Sequence, residues 1–547
     1  MNLNPEQIRA AEHDKGPMLV LAGPGTGKTA TLVGRYAMLK DRGVKPPSIL
    51  CCTFSRKAAD ELKARIQKTV EINPSSLPIG TFHALALSII KEIGPAVGIK
   101  ADVDVWSSDR QRRAEVKRIQ DEIIEKGGYR NVDPADQTPS LALEYIDKAR
   151  ENLLDPEDAS IEASGNQADL AHAEVYAEYE KYLNESGKAD FPRMVQGACK
   201  ALAADNEADG AYAKKFTHIL VDEYQDINIA QKRLIDLLFT GGGDLWVVGD
   251  DDQAIYGWRG GNVKFILDFE KDYPGATKVK LEQNYRSGRR ITELSNNLSS
   301  HLKERHQKVI KSERDAQGEI ACQGSANEDD EALTIAEEIK ARLKAGVAAE
   351  EIAVLARTNL TPRRIVDALT KHDIPVVLKG GVSLFREYEA RQLLAAVAES
   401  AGVEKNAAWN LRLSPQLVGF AKKLQDEDWQ RKVKALATFL QNRPAKFLDE
   451  NQVAERSKKI EYYRDYFLAY DGPDNIFPKL ATILRPKKDT KGVFVGTVHS
   501  AKGLEWDSVF VVGMEDGLSR FRIIWVRVHL RKNVGLPMSP SRGQKTI

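Results

Sequence analysis

Short apolar runs alternate with longer amphipathic stretches along most of the chain. Met18–Leu21 is a compact apolar run, followed by a turn rich in Gly and Pro and a helical pattern through Lys40. Ser48–Phe54 (SILCCTF) repeats the apolar run, and a helix rich in Ala, Lys and Arg follows over Arg56–Lys68. Ile219–Val221, the run beginning at Leu245, Ile352–Arg357, Val493–Gly496 and Ser508–Gly513 continue the series. Unbroken apolar runs of strand length separated by helices predict parallel strands covered on both faces. The fold class is therefore α/β. Residues 101–205 break the alternation: they are polar, largely helical and interrupted at Gly127-Gly128 and Asp133–Ser140, and read as a helical insertion in the first α/β domain. Residues 401–487, mostly helical, charged and weakly patterned, interrupt a second sheet. At the start, Asn4 suits a helix cap, Pro5 its first turn and Glu6 the positive end of its dipole.

Composition narrows the class. The 547 residues supply about three or four domains' worth of chain. A net charge of +1 excludes a global field for polyanions, so any nucleic-acid surface must be local. Cys51, Cys52, Cys199 and Cys322 show no CxxC spacing and read as reduced, structural thiols of a cytoplasmic protein. No apolar run approaches the roughly 18 residues that span a bilayer, and no basic-then-apolar signal opens the chain.

The chemistry concentrates at strand ends. Ala22-Gly23-Pro24-Gly25-Thr26-Gly27-Lys28-Thr29 joins a strand to a helix N-terminus, an arrangement that cradles phosphate with backbone N–H groups. Lys28 then reaches the β- and γ-phosphates and Thr29 holds Mg²⁺; Ala22 stands where the strict pattern has Gly. Asp222-Glu223 closes the apolar strand of HILVDEYQD. Asp222 suits the Mg²⁺ and Glu223 suits proton abstraction from an attacking water. In LWVVGDDDQAIYGWRGG, Gln253 is placed to sense a γ-phosphate. Tyr256, Trp258 and Arg259 offer a stacking platform for unpaired bases. Phe54 and Phe82 also lie at strand ends beside cations, and a core position suits each equally well. Gln7 by itself reads as a solvated helix residue, and the basic cluster at Arg110–Arg118 as a solvated helix face.

Taken in order, AGPGTGKT, TFSRKAADEL, GTFHA, VDEYQD, VGDDDQAIYGWRG, QNYRS and TVHSAKGLE resemble the UvrD/Rep family of superfamily 1 DNA helicases from Leu3 to about Phe521. The resemblance implies two RecA-like P-loop NTPase domains with ATP bound between them, each with a mainly helical inserted subdomain. The first would comprise residues 1–100 and 206–278 with the insertion 101–205; the second, residues 279–400 and 488–521 with the insertion 401–487. By position, Lys28, Thr29, Asp222, Glu223 and Gln253 match ATP-hydrolysis residues. Gln7 matches an adenine-reading glutamine, and Tyr285 and Arg35 match the two faces of an adenine stack. Arg286 matches an arginine reaching the γ-phosphate from the second domain, and Glu505 a nucleotide contact. Phe54, Phe82, Tyr256, Trp258 and His499 match the single-strand track. The resemblance thus implies an ATP- and Mg²⁺-dependent helicase moving 3′ to 5′ on single-stranded DNA and at single-strand/duplex junctions, of the kind that serves DNA repair or replication. It names no protein partner.

Two features depart from the family. The insertion at 401–487 is short. The family's last motif, near RRLAYVAITRAK, is replaced by the basic tail 522–547, and no acidic residue follows Asp516. Pairing each codon's last base with the next codon's first two, codon choices exist that turn Asn533–Lys545 into that motif. The ATG of Met538 before a TC-starting serine codon gives GTC, valine. The TGG of Trp525 before a valine codon gives GGT, glycine. Arg522–Ile524 likewise permits PHH after GLSRF. A one-base frame change near Phe521–Arg522 is the expectation. The motif's arginine would straddle the codons of Arg542 and Gly543, leaving as the alternative function a truncated remnant that binds ATP and single strands but hydrolyses or unwinds poorly.

Overall fold

The computed structural model describes residues 2–514 except 72–76, 134–135, 240–242, 359–361, 380–387, 405–408, 410, 412, 443–449 and 485–489. The tail 522–547 lies outside the described residues. The chain divides into two compact units: Met1–Arg286 with Thr292–Arg314, and Ser287–Ile291 with the chain from Asp315 onward.

The first unit opens with α1 (Pro5–Ala11), where Asn4 and Gln7 form a reciprocal capping box. Then follow β1 (Pro17–Ala22), α2 (Lys28–Asp41), β2 (Ile49–Thr53), α3 (Arg56–Val70), β3 (Ile79–Thr81) and α4 (Phe82–Ile93). The insertion contributes β4 (Asp104–Trp106), α5 (Asp109–Glu125), α6 (Pro139–Glu151), α7 (Pro156–Glu162), α8 (Gln167–Ser186), β5 (Lys188–Asp190) and α9 (Phe191–Ala208). The chain returns through β6 (His218–Val221), α10 (Ile229–Leu238), β7 (Asp244–Gly249) and β8 (Thr277–Leu281).

These strands make one parallel sheet in the order β3-β2-β6-β7-β1-β8. Its apolar runs are continuous because both faces are covered. Met18, Val20, Trp246 and Val248 enter one core, while Leu19, Leu21, Leu245 and Val247 enter the other. Within the insertion, α5, α6 and α8 share a core of their own, whereas Met194, Val195 and Ala198 of α9 join the core of the sheet. Between them, buried Asp190 caps α9 and accepts from Arg112 Nε at 3.1 Å and Arg150 Nη1 at 2.8 Å.

The division between the units differs from the boundary at 278/279. The strand β8 pairs with β1 from Met18↔Thr277 to Ala22↔Leu281 and so completes the first sheet. The chain then adds β9 (Gln283–Asn284), passes through the helix Arg289–Ser300, and pairs back on β9 with β10 (Lys311–Ser312). The second unit holds β11 (Ile352–Ala356), β12 (Val376–Leu378), β13 (Val493–Thr497) and β14 (Ser508–Val512), parallel in the order β12-β13-β11-β14. The helices Pro415–Lys423, Trp429–Gln441, Glu450–Leu468 and Pro473–Leu484 share one core with this sheet.

Candidate nucleotide site and nucleic-acid edge

The glycine loop leaves β1 at Ala22, which is fully buried and pairs with Leu281, so its side chain faces the core. Gly25 has φ +68°, and a Cβ there would lie 2.6 Å from Arg286 Cβ; only Gly allows both the turn and the approach. The loop is tied from several sides. Gln7 Nε2 donates to Thr26 O at 2.9 Å, Thr26 Oγ1 to Gly23 O at 2.8 Å, Asn284 Nδ2 to Pro24 O at 2.6 Å, and Tyr285 N to Gly25 O at 3.0 Å. Helix α2 starts at Lys28 with Gly27 as its cap, so its first-turn amides, Thr29 among them, stand at the end of the loop.

Asp222 and Glu223 stand at the tip of β6, two strands from β1. Lys28 Nζ lies 3.5 Å from Glu223 Oε2 and, among the described residues, is buried without a hydrogen-bond partner. Burial acts to lower the Lys28 pKa, but Glu223, Asp250 and Asp222 outweigh it and the net shift is upward, so the amine stays charged. Burial, and then Glu223, push Asp222 up to about 7 against the pull of Lys28. Glu223 itself sits at φ +53°, a left-handed backbone costing about 1–3 kcal/mol in a non-glycine residue. Its N–H donates to Asp222 Oδ1 at 3.0 Å, and its carboxylate accepts from Gln225 Nε2 at 2.6 Å. A charged, buried amine, a glycine loop held in place through its carbonyls ahead of a helix N-terminus, and two adjacent carboxylates fit a phosphate chain with a divalent cation. Thr29 and Asp222 are the residues that would hold the cation.

Sequence reading passed over three residues here. Gln225 is buried and bridges Glu223 to the next loop by accepting from Asp250 N at 3.0 Å. Gln253 Nε2 hydrogen-bonds Asp250 Oδ2, which gives the expected sensor residue a fixed carboxamide. Lys308 and Arg305 close on the same loop from 50 residues downstream. The signal was three consecutive aspartates after a buried strand, a charge density that needs buried cations.

Gln7 is buried rather than solvated, and its carboxamide already serves the cap and the glycine loop. Tyr285 is 44 % exposed, with its hydroxyl in contact with Gln283 and Asn4. Arg286 packs on the glycine loop inside the first unit, not in the second. Arg35 departs from its expected place on an adenine face. It is fully buried, paired with Asp244 and donating to Ala11 O and His13 O, because a guanidinium in the core needs its donors satisfied.

Residues 3–274 match the family model described as the UvrD/REP helicase N-terminal domain, and residues 279–469 and 477–519 match the UvrD-like helicase C-terminal domain. The chain belongs to the UvrD/Rep helicase family. Among its relatives, the ATP-dependent DNA helicase PcrA of Staphylococcus epidermidis is 30% identical over 578 residues, covering 94% of this chain and 78% of the relative. That of Leuconostoc citreum is 30% identical over 585 residues, covering 94% and 77%. PcrA of Staphylococcus aureus is 29% identical over 578 residues.

The residues of this UvrD/Rep chain expected along a single strand divide in the structure. Phe54 follows β2, and Tyr256 stacks on it with centroids 4.8 Å apart at 15°. Trp258 is 64 % exposed nearby in sequence, on a turn where Gly257 has open space around it. The Arg259 side chain lies outside the description. Phe82 departs from the expectation: it is the first residue of α4, its side chain is buried in the core that also holds Leu19, Leu50 and Val221, and the apolar ring gains more there than at the surface. In the second unit, His499 follows β13 and stands within 3.4 Å of Arg357 Nη1, while Glu505 is exposed. These are the carboxyl ends of β13 and β11, where open α/β sheets collect ligands.

Proposed function

We propose that this chain is an ATP-dependent DNA helicase that moves 3′ to 5′ along single-stranded DNA and opens duplex at junctions. Family membership supports the helicase activity, and the single observation that carries the nucleotide site is the buried amine of Lys28, 3.5 Å from Glu223 Oε2 and without a hydrogen bond among the described residues. Lys28 holds the β- and γ-phosphates. Glu223, oriented by Gln225, accepts the proton of the attacking water. Gln253 reports on the γ-phosphate, and Arg286 meets its developing charge. Mg²⁺ held by Thr29 and Asp222 would supply charge neutralisation between the phosphates. Gln7 and Tyr285 receive the base. Tyr256, Trp258, Arg259 and Phe54 form the stacking side of the strand track in the first unit, and His499 takes the same role within the second.

Lys28→Ala and Glu223→Gln test the site: each abolishes DNA-stimulated ATP turnover, and unchanged turnover in either overturns the assignment. Duplexes with 3′ or 5′ tails test direction; preferred opening of the 5′-tailed substrate overturns 3′ to 5′ movement.

A second reading is favoured by the family match ending at residue 519, beside the frame change inferred near Phe521–Arg522. In it, the chain as written binds ATP and single strands but hydrolyses poorly, having lost the arginine of the last motif. Nucleotide sequence across the region decides: a shifted frame without RRLAYVAITRAK removes this reading.

A further inference from the structure

We infer that Lys308 is a positioning residue for nucleotide hydrolysis, fixing the Asp250–Gln253 loop and, through Asp250 and Gln225, the Glu223 carboxylate. This rests on the nucleotide site proposed above. The Lys308 side chain is fully buried, and its amine reaches three consecutive carboxylates: Asp250 Oδ1 at 3.0 Å, Asp251 Oδ1 at 2.6 Å and Asp252 Oδ2 at 2.9 Å. Its neighbours reinforce the grip. Arg305 donates to both oxygens of Asp252 at 2.8 Å, and His306 N donates to Asp251 Oδ2 at 2.6 Å. Two residues beyond Lys308, Ile310 lies so close to the glycine loop that a Cβ on Gly23 would collide with its Cδ1. Asn296 pins Ile310 through both backbone groups, at 3.0 and 2.8 Å.

Asp250 passes this placement to two groups. Its Oδ2 accepts from Gln253 Nε2, and its backbone N–H donates to Gln225 Oε1 at 3.0 Å. Gln225 Nε2 in turn donates to Glu223 Oε2 at 2.6 Å, the oxygen that faces Lys28. The path from Lys308 to the proton acceptor thus runs through the Asp250 carboxylate, the Asp250 backbone amide and the Gln225 carboxamide, at 3.0, 3.0 and 2.6 Å. A buried ion cluster by itself is a poor source of stability compared with apolar packing. What it supplies here is a fixed Asp250, whose carboxylate holds Gln253 and whose backbone amide holds Gln225 against Glu223. Burial acts to lower the Lys308 pKa, but the three aspartates outweigh it, so the cation is kept at neutral pH.

The test compares Lys308→Met, Lys308→Arg and the double variant Lys308→Met/Asp251→Asn, with Lys28→Ala as the site control. Lys308→Met lowers kcat for single-strand-stimulated ATP hydrolysis by about 10- to 100-fold, while KM for ATP stays within about threefold. The double variant removes one carboxylate with the cation and recovers most of the kcat. Lys308→Arg keeps the charge and the fold, yet its fork cannot place one nitrogen among three carboxylates, so kcat falls with the melting temperature near wild type. Wild-type kcat in Lys308→Arg or in folded Lys308→Met overturns the proposal. So does a parallel fall of kcat, ATP affinity and melting temperature that the double variant does not recover. Turnover surviving in Lys28→Ala would instead remove the nucleotide site itself, which separates the two failures.

Discussion

Asp222 gives the site a pH signature that can be worked out in advance. It lies at a strand tip, buried, with Glu223 beside it, and these push its pKa up to about 7. An unfolded aspartate titrates near 3.9, so the shift of about three units corresponds to about 4 kcal/mol against the ionised form. The sign follows directly. The folded chain binds this proton more tightly than the unfolded one, so the residue costs nothing below about pH 4. The cost grows as pH rises toward 7 and is complete above it. Asp222→Asn keeps the shape and removes the ionisation. It should raise the melting temperature of the nucleotide-free protein by several degrees at pH 8 and by only about a quarter as much at pH 4.5. Differential scanning calorimetry at a series of pH values measures this, with the transition carrying the first unit followed by its tryptophan fluorescence. A cation held by the same carboxylate must displace the proton. Calorimetric titration with Mg²⁺–ADP in buffers of different ionisation heat should then show close to one proton released at pH 6 and almost none at pH 8. Parallel melting curves for wild type and Asp222→Asn across this range would refute the burial argument.

Two other residues yield separate expectations. Arg35→Met strands the Asp244 carboxylate and two backbone carbonyls in the core, and should cost about 3–5 kcal/mol of stability by chemical denaturation. ATP-over-GTP preference is then unchanged, whereas a lost preference in a stable variant would return Arg35 to the base. Trp258→Ala removes an exposed ring and should weaken single-strand binding about 5- to 150-fold in fluorescence anisotropy, the span of about 1–3 kcal/mol for one stacked base. Affinity within twofold of wild type would remove Trp258 from the track.

The central strands of both sheets, the cap at Asn4 and the glycine loop were legible in sequence because their signals are local, whereas the short β3 and β12 and the membership of β8 in the first sheet were not. Apolar runs define β1, β2, β6 and β7, and the loop must use Gly where φ is positive or another backbone approaches. The order of motifs carried the family, since spacing along a chain is itself a one-dimensional property. Phe82 and Arg35 were misplaced for the opposite reason. Residue type says that a Phe or an Arg has a use, but whether that use is a ligand or the core depends on its surroundings, which in these cases are the apolar core of the first sheet and Asp244.

Sequence alone therefore determined the family of this protein, its glycine loop and strand-end carboxylates, and the order in which the chain presents them. The tertiary structure decided which charges meet. Lys308 lies 58 residues from Asp250 and Gln7 lies 19 from Thr26, and no local pattern links them. They come together because β8 completes the first sheet and the segment behind it folds back on the same edge, where a buried carboxylate cluster is tolerable only once a cation arrives.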